Sequence, residues 1–460
     1  MLRRIDEPFA RLAGRLGIHP LTLSVGLFVL CFGIVLNVAL NVVFGVQTTL
    51  RSTLDFFTMD MGNDSWWPIR AASHVINIAP QMPVYTTTVF GLESKFQYPP
   101  TSLLLVQPIL VVEDMIHRLA AVFKLTCWGV TLATVILMAW MFPRCLAAGV
   151  GRGIDLGRRD LTVLAAIAVV ATLTFNPLVW ALSLGQIQTW INFMFCAAAF
   201  AWVSGRKDLA GVLIAAICLI KPQLTLFILW AIVRKEWRFV WFFAAPFCLV
   251  SAVSVFVYGL EDYSDYFSLL AYVSKRGECF FPNQSVNGLL NRLLHNGDNL
   301  VWQESAYAPY NFWIYVATSV SSAIIIAVAI LWRRHENQRA SGIDFLVAGL
   351  SFTMASPIAW VHHYGVMLPM FAIALPATIA ASGLGAGSVV VLAVSYVLSG
   401  TLFDIANRLA DTPFNFAQSY MFFGAIVLLV HLYRLRHAQY MARGAPAREL
   451  VEARTAALGA

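Results

Sequence analysis

Charge is what this chain has least of. Only 12% of its 460 residues are Asp, Glu, Lys or Arg, against 59% that are hydrophobic. Soluble domains carry about 25% charged residues to cover a surface that faces water, so soluble classes are excluded. Cysteine is sparse too. Of seven, six (Cys31, Cys127, Cys145, Cys196, Cys218 and Cys248) lie within or beside apolar runs, Cys279 alone falls in a long polar loop, and none has CxxC spacing. They read as small packing residues, and a disulfide framework is not indicated. A glycine-rich phosphate loop is also missing, and no HxxxH or HxxE partner stands near the His362-His363 pair.

What the chain has instead is length of apolar run. Leu21–Val46, Leu161–Leu184, Trp313–Trp332 and Phe416–Tyr433 approach or exceed the roughly 20 residues that cross a bilayer core. The expected fold class is an all-α polytopic membrane protein of about twelve crossings. The net charge of +7 is gathered in short clusters: the N-terminal arginines, Pro143–Asp160, Arg206-Lys207, Arg234–Arg238, Arg333–Arg339 and the tail 434–460. Placing every cluster on the cytoplasmic side satisfies the positive-inside rule. Both termini are then cytoplasmic, the first span is retained, and 47–98 and 259–310 become long outer loops. Parity and Pro108 make Thr101–Val112 a re-entrant or interfacial hairpin. No folded basic surface remains for nucleic acid.

This topology carries polar residues from the whole chain to one membrane face. Asp64 precedes Trp66, Trp67, Ile69, Val75 and Ile76, an apolar stripe that suits a short interfacial helix. It reads as a helix N-cap or as a catalytic carboxylate. Lys221-Pro222 interrupts an apolar stretch; an ionisable side chain there snorkels to lipid phosphates or serves a polar site. Ser356-Pro357-Ile358-Ala359-Trp360-Val361-His362-His363 is the densest polar island, and its imidazoles suit phosphate binding or proton transfer near neutral pH. Tyr98-Pro99-Pro100, Gly185-Gln186 and Asn283-Gln284-Ser285 are turns with uncharged hydrogen-bonding groups, structural or suited to sugar hydroxyls.

In order, these islands are Asp64-(x)6-Ala71-Ala72, Pro83-Val84-Tyr85, Tyr98-Pro99-Pro100, Asn176-Pro177, Gly185-Gln186, Lys221-Pro222, Asn283-Gln284-Ser285 and Ser356-Pro357-(x)2-Trp360-(x)-His362-His363. The series resembles glycosyltransferase family 87, whose members have the GT-C fold and take the sugar from a polyprenyl-phosphate carrier. The resemblance implies a bacterial plasma-membrane enzyme with its active site outside the cytoplasm. It would transfer mannose or arabinofuranose, with inversion, to a hydroxyl of a cell-envelope glycolipid or glycan. It implies Asp64 as general base, with Asp60 four residues earlier as a competitor. His362 or His363, together with Lys221, would hold the donor phosphate. Tyr98, Gln186, Asn283, Gln284, Asp60, Arg70 and Trp360 would line the substrate site. Neither a cofactor nor a metal is implied. A transporter or flippase of lipid-linked sugars is the rival class; it lacks the inverted repeat such proteins show, and the polar positions here gather at one face. An O-antigen ligase or polymerase would need more arginine in its outer loop.

Overall fold

The computed structural model describes residues 2–107, 115–149, 154–304, 306–332, 341–381 and 384–458. Among them there is no strand, only an isolated bridge between Asn283 and Trp360. Six helices are long and apolar enough to cross a membrane: Pro20–Phe44, Leu119–Gly149, Trp237–Arg276, Phe312–Leu331, Val361–Ala380 and Asn415–Gln439. A seventh crossing arises if Arg158–Leu173 and Asn176–Ser183, bent by 54° at their junction, form one span. Shorter apolar helices are Gln188–Val203, Pro222–Val233, Gly342–Met354 and Ala386–Gly400. The chain is a multi-pass helical membrane protein. Outward apolar side chains agree: Phe256 is 90% exposed and Val42 76%, which in water would be a large unfavourable surface and in lipid is none.

The breaks fall where the backbone chemistry puts them. His19 caps the first span through its ring nitrogen, and Pro20 occupies the first turn, where a missing N–H costs nothing. Asp160, at the start of Arg158–Leu173, accepts from His19 N at 2.7 Å and Thr22 Oγ1 at 2.7 Å, joining two helix starts. Trp237–Arg276 is interrupted at Gly259, whose φ of 76° is not helical; the expected outer loop begins at that residue. The expected first outer loop is itself largely helical, with Thr49–Thr58 and Trp66–Ile78. A single turn, Pro100–Leu103, opens the expected hairpin; its continuation over 108–112, like Arg333–Arg339, lies outside the described residues.

Side chains lock the bundle at one end. Arg234 donates to Asp344 through Nε and Nη2, the latter at 3.1 Å, and Arg436 Nη1 stands 3.1 Å from the same carboxylate. Next to this triad Trp202, Phe227, Trp230 and Phe239 pack around Phe345, with Trp202–Phe345 and Phe227–Phe345 centroids 4.9 and 4.8 Å apart. Such pairs contribute about 0.5–1.5 kcal/mol each beyond their buried area. Arg234 follows the helix that begins after Lys221, and Asp344 opens the helix that ends before Ser356. The rigid end is therefore opposite the polar turns.

Candidate active site

The turn after Asn176–Ser183 is the platform on which Asp64 rests. Gln186 N donates to Ala181 O and Gly185 N to Leu182 O, 2.9 and 2.8 Å, the paired bonds of a Schellman ending. Gly185 takes φ +67°, and a Cβ there would lie 2.1 Å from Gly62 O. That bare surface receives the first loop as main chain: Gly62 N, Asp64 N and Ser65 N donate to Ser183 O, Leu184 O and Gly185 O at 2.8, 3.0 and 3.4 Å. The N-cap of Trp66–Ile78 is Ser65, so Asp64 is not the cap. Its Oδ2 accepts from Gln186 Nε2.

Ser65 gathers the neighbouring groups. Its Oγ lies 2.7 Å from Tyr98 Oη and donates to Gln186 Oε1 at 2.8 Å, and it accepts from Ile187 N at 2.9 Å. Ser65, Tyr98 and Gln186 are buried, whereas Asp64 remains exposed. Yet protein crowds Asp64 enough that burial pushes its carboxyl above the usual carboxylate range, with Gln186 and Lys221 opposing and Glu304 adding to the rise. A side chain both solvent-accessible and crowded by protein is placed where a substrate hydroxyl could meet it.

The cation stands beside Tyr98. Lys221 ends Lys207–Ile220 in an extended conformation, φ −141° and ψ 117°, as the following proline requires. Its Nζ stands 5.6 Å from the Tyr98 ring centroid, donates to Gln188 Oε1 at 3.1 Å and lies 3.1 Å from His363 Nε2. Thr101 Oγ1 donates to Leu219 O at 2.5 Å, tying the Tyr98 turn to this helix end. A rail of amides continues: Gln188 Nε2 to Asn192 Oδ1 at 3.1 Å, and Asn192 Nδ2 to His362 O at 3.4 Å. A Cβ on Gly365 would meet the Asn192 amide at 2.2 Å, so the glycine lets the histidine turn approach this helix. His362 Nε2 and His363 Nδ1 are buried without a partner among the described residues.

Asn283 and Gln284 are brought to the histidine turn, but their amides are used in holding it. Asn283 Oδ1 accepts from Ala359 N at 3.0 Å and its Nδ2 donates to Glu278 O at 2.8 Å. Gln284 Nε2 donates to Phe281 O and Gln418 O, both 2.7 Å, while Oε1 accepts from Phe422 N at 3.1 Å. Trp360 packs on Trp302, centroids 5.3 Å apart. Trp302 in turn covers Lys95 Nζ at 3.8 Å, and Lys95 pairs with Glu278 at 2.9 Å. Two expected substrate residues stand apart: exposed Asp60 has Arg51 at 4.0 Å, and Arg70 lies over the exposed Trp67 ring at 5.1 Å.

Ser65, Gln188 and Asn192 were not among the residues expected from sequence. Gln188 and Asn192 did carry a signal, two amides one helical turn apart in an apolar helix, which lipid would not tolerate unpaired. Ser65 carried none beyond adjacency to Asp64. The sequence model of glycosyltransferase family 87 matches residues 96–357, more than half the chain. The chain belongs to glycosyltransferase family 87. It is thus a membrane glycosyltransferase, and the cluster around Asp64 and Lys221 is its candidate active site. The segment matched to family 87 includes Tyr98, Gln186, Lys221, Asn283 and Gln284; Asp64, Trp360, His362 and His363 lie beyond its ends. No curated protein and no solved structure matches the chain.

Proposed function

We propose that this family 87 enzyme moves a sugar, mannose or arabinofuranose, from a polyprenyl-phosphate carrier to a hydroxyl of a cell-envelope glycolipid or glycan. One observation carries the reading: an accessible carboxylate, Asp64, and a cation, Lys221, lie within Coulombic reach of each other, with Lys221 Nζ beside Tyr98 and His363. Transfer from a sugar-1-phosphate lipid needs both. The acceptor oxygen attacks the anomeric carbon, its proton passes to Asp64, and the bond from that carbon to the phosphate oxygen breaks with its electron pair leaving on the phosphate. The polyprenyl phosphate gains a negative charge, which Lys221 and His363 N–H donors stabilise. Attack from the side opposite the leaving group inverts the anomeric centre.

The same reading makes the protein a GT-C fold of twelve crossings in a bacterial plasma membrane, with the site outside and both termini in the cytoplasm. Its support is the six long apolar helices, the bent pair that makes a seventh span, and the four shorter apolar helices beside them. The deciding experiment incubates detergent-purified protein with radiolabelled polyprenyl-phosphate mannose, or the arabinofuranose analogue, and an envelope lipid extract. A labelled lipid product whose formation is lost in Asp64→Asn is expected. Labelled donor crossing sealed vesicles without a new glycosidic bond would overturn the reading in favour of a transporter.

A further inference from the structure

The Gln186 amide lies between two hydroxyls and a carboxylate. Ser65 has a single O–H to give. Its Oγ already accepts from Ile187 N at 2.9 Å, and it faces Tyr98 Oη at 2.7 Å and Gln186 Oε1 at 2.8 Å. Tyr98 Oη also reaches Gln186 Oε1, at 3.5 Å, so the carbonyl oxygen faces two hydroxyl donors. An amide flip would turn Oε1 toward Asp64 Oδ2, and an ionised carboxylate has no hydrogen to give it. The amide is therefore held one way round, with Nε2 facing Asp64 Oδ2. Oδ1 takes no hydrogen bond among the described residues.

We propose that Ser65 and Gln186 are positioning residues of the transfer reaction: the serine sets the direction of the glutamine amide, and the amide turns the Oδ1 edge of Asp64 to the acceptor hydroxyl. This rests on the reading of Asp64 as the base. The amide has a second effect, because a donor to Oδ2 favours the ionised carboxylate in surroundings that otherwise oppose ionisation. The other groups whose charge bears on Asp64 are Lys221, from the turn after Lys207–Ile220, and Glu304, from the second outer loop. Tyr98 makes no hydrogen bond to Asp64 but lies within Coulombic reach of it, and is joined to it through Ser65 and Gln186. Neither Lys221 nor Glu304 bonds to the Gln186 amide, so the amide's contribution can be removed separately.

The test reads the carboxyl itself. Infrared pH titration of purified protein in nanodiscs, with Asp64→Asn subtracted, isolates the protonated Asp64 band. Gln186→Leu is expected to move its midpoint up by about one pH unit, the effect of losing one good donor to the charged form. Ser65→Ala is expected to move it the same way, since the freed amide can present its oxygen to the carboxylate. Unmoved midpoints in both variants, in protein that stays monodisperse, overturn the proposal. Should Gln186→Leu fail to insert, Ser65→Ala, which deletes one hydroxyl, decides alone. Because no substrate is present, this result is independent of whether the protein transfers a sugar; loss of the transferase reading would show instead as turnover retained by Asp64→Asn.

Discussion

Lys221 Nζ and His363 Nε2 stand 3.1 Å apart, and the charge on the lysine decides the imidazole tautomer. An ammonium has only donors, so Nε2 must accept and the ring proton sits on Nδ1. Nδ1 has no partner among the described residues. The lysine thus spends two donors on neutral acceptors, Gln188 and His363, in a place where an anion would bind more strongly than either.

Lys221→Met should lower kcat/KM for a polyprenyl-phosphate sugar about 10²–10³-fold, the usual cost of losing one preorganised donor to a developing anion. Competition by unlabelled polyprenyl phosphate should weaken in parallel. Within the histidine pair the larger loss is expected for His363→Ala, since His362 reaches the rail through its backbone oxygen. Equal losses at both positions would count against this assignment.

Asp64→Asn should abolish most transfer, about 10²–10⁴-fold for loss of a general base, without lowering the melting temperature. The sign follows from the upward shift of the Asp64 carboxyl, caused first by burial. A group that holds its proton more tightly when folded stabilises the fold below the unfolded carboxylate range, and that contribution is lost as pH rises through the folded pKa. Above the folded pKa it is gone, so there the amide costs nothing and removes an unfavourable charge. Transfer by the wild type should fall on acidification from above the usual carboxylate range, a limb visible in a pH profile.

Gly185→Ala combines a left-handed φ with a Cβ 2.1 Å from Gly62 O. Backbone strain of this kind costs about 1–3 kcal/mol, and here the loop that bears Asp64 must also lift. Both a lower melting temperature and loss of turnover are expected, whereas Gly45→Ala, equally left-handed but with open space around it, should cost stability alone.

Lys95 and Glu278 form an ion pair with side chains 6% and 8% exposed, and burial pushes each toward its neutral form, the lysine down and the glutamate up. Removing one partner leaves an uncompensated buried charge, at a cost of about 3–5 kcal/mol. Lys95→Met should therefore destabilise strongly. Lys95→Met with Glu278→Leu should recover much of the loss, because the pair itself contributes little beyond its desolvation cost. Thermal unfolding of the three variants forms the cycle.

The helical membrane architecture was legible because lipid imposes it on composition: a bilayer demands long apolar runs and gathers arginine into the short segments between them. The broken helix at Lys221-Pro222 was legible for the same reason, since proline and a charge both announce themselves in an apolar stretch. Which amides meet substrate and which brace a turn was not legible. Asn283, Gln284 and Gln186 offer the same chemistry in sequence, and only three-dimensional neighbours separate the two that hold Pro357–Ala359 and Phe422 from the one that faces Asp64. Asp60 and Asp64 are likewise equivalent until the Gly185 turn selects one of them.

The first loop is gripped at Ser183, Leu184 and Gly185 through peptide groups, and peptide groups are common to all residues. Apart from the bare glycines at 62 and 185, where a Cβ would meet backbone, such a grip measures spacing and is blind to side-chain identity. A residue such as Asn63 is thus at liberty to change during evolution while the number of residues is not, and a single deletion there would swing the carboxylate off its platform. A recognition surface built this way can preserve its chemistry while its lettering drifts.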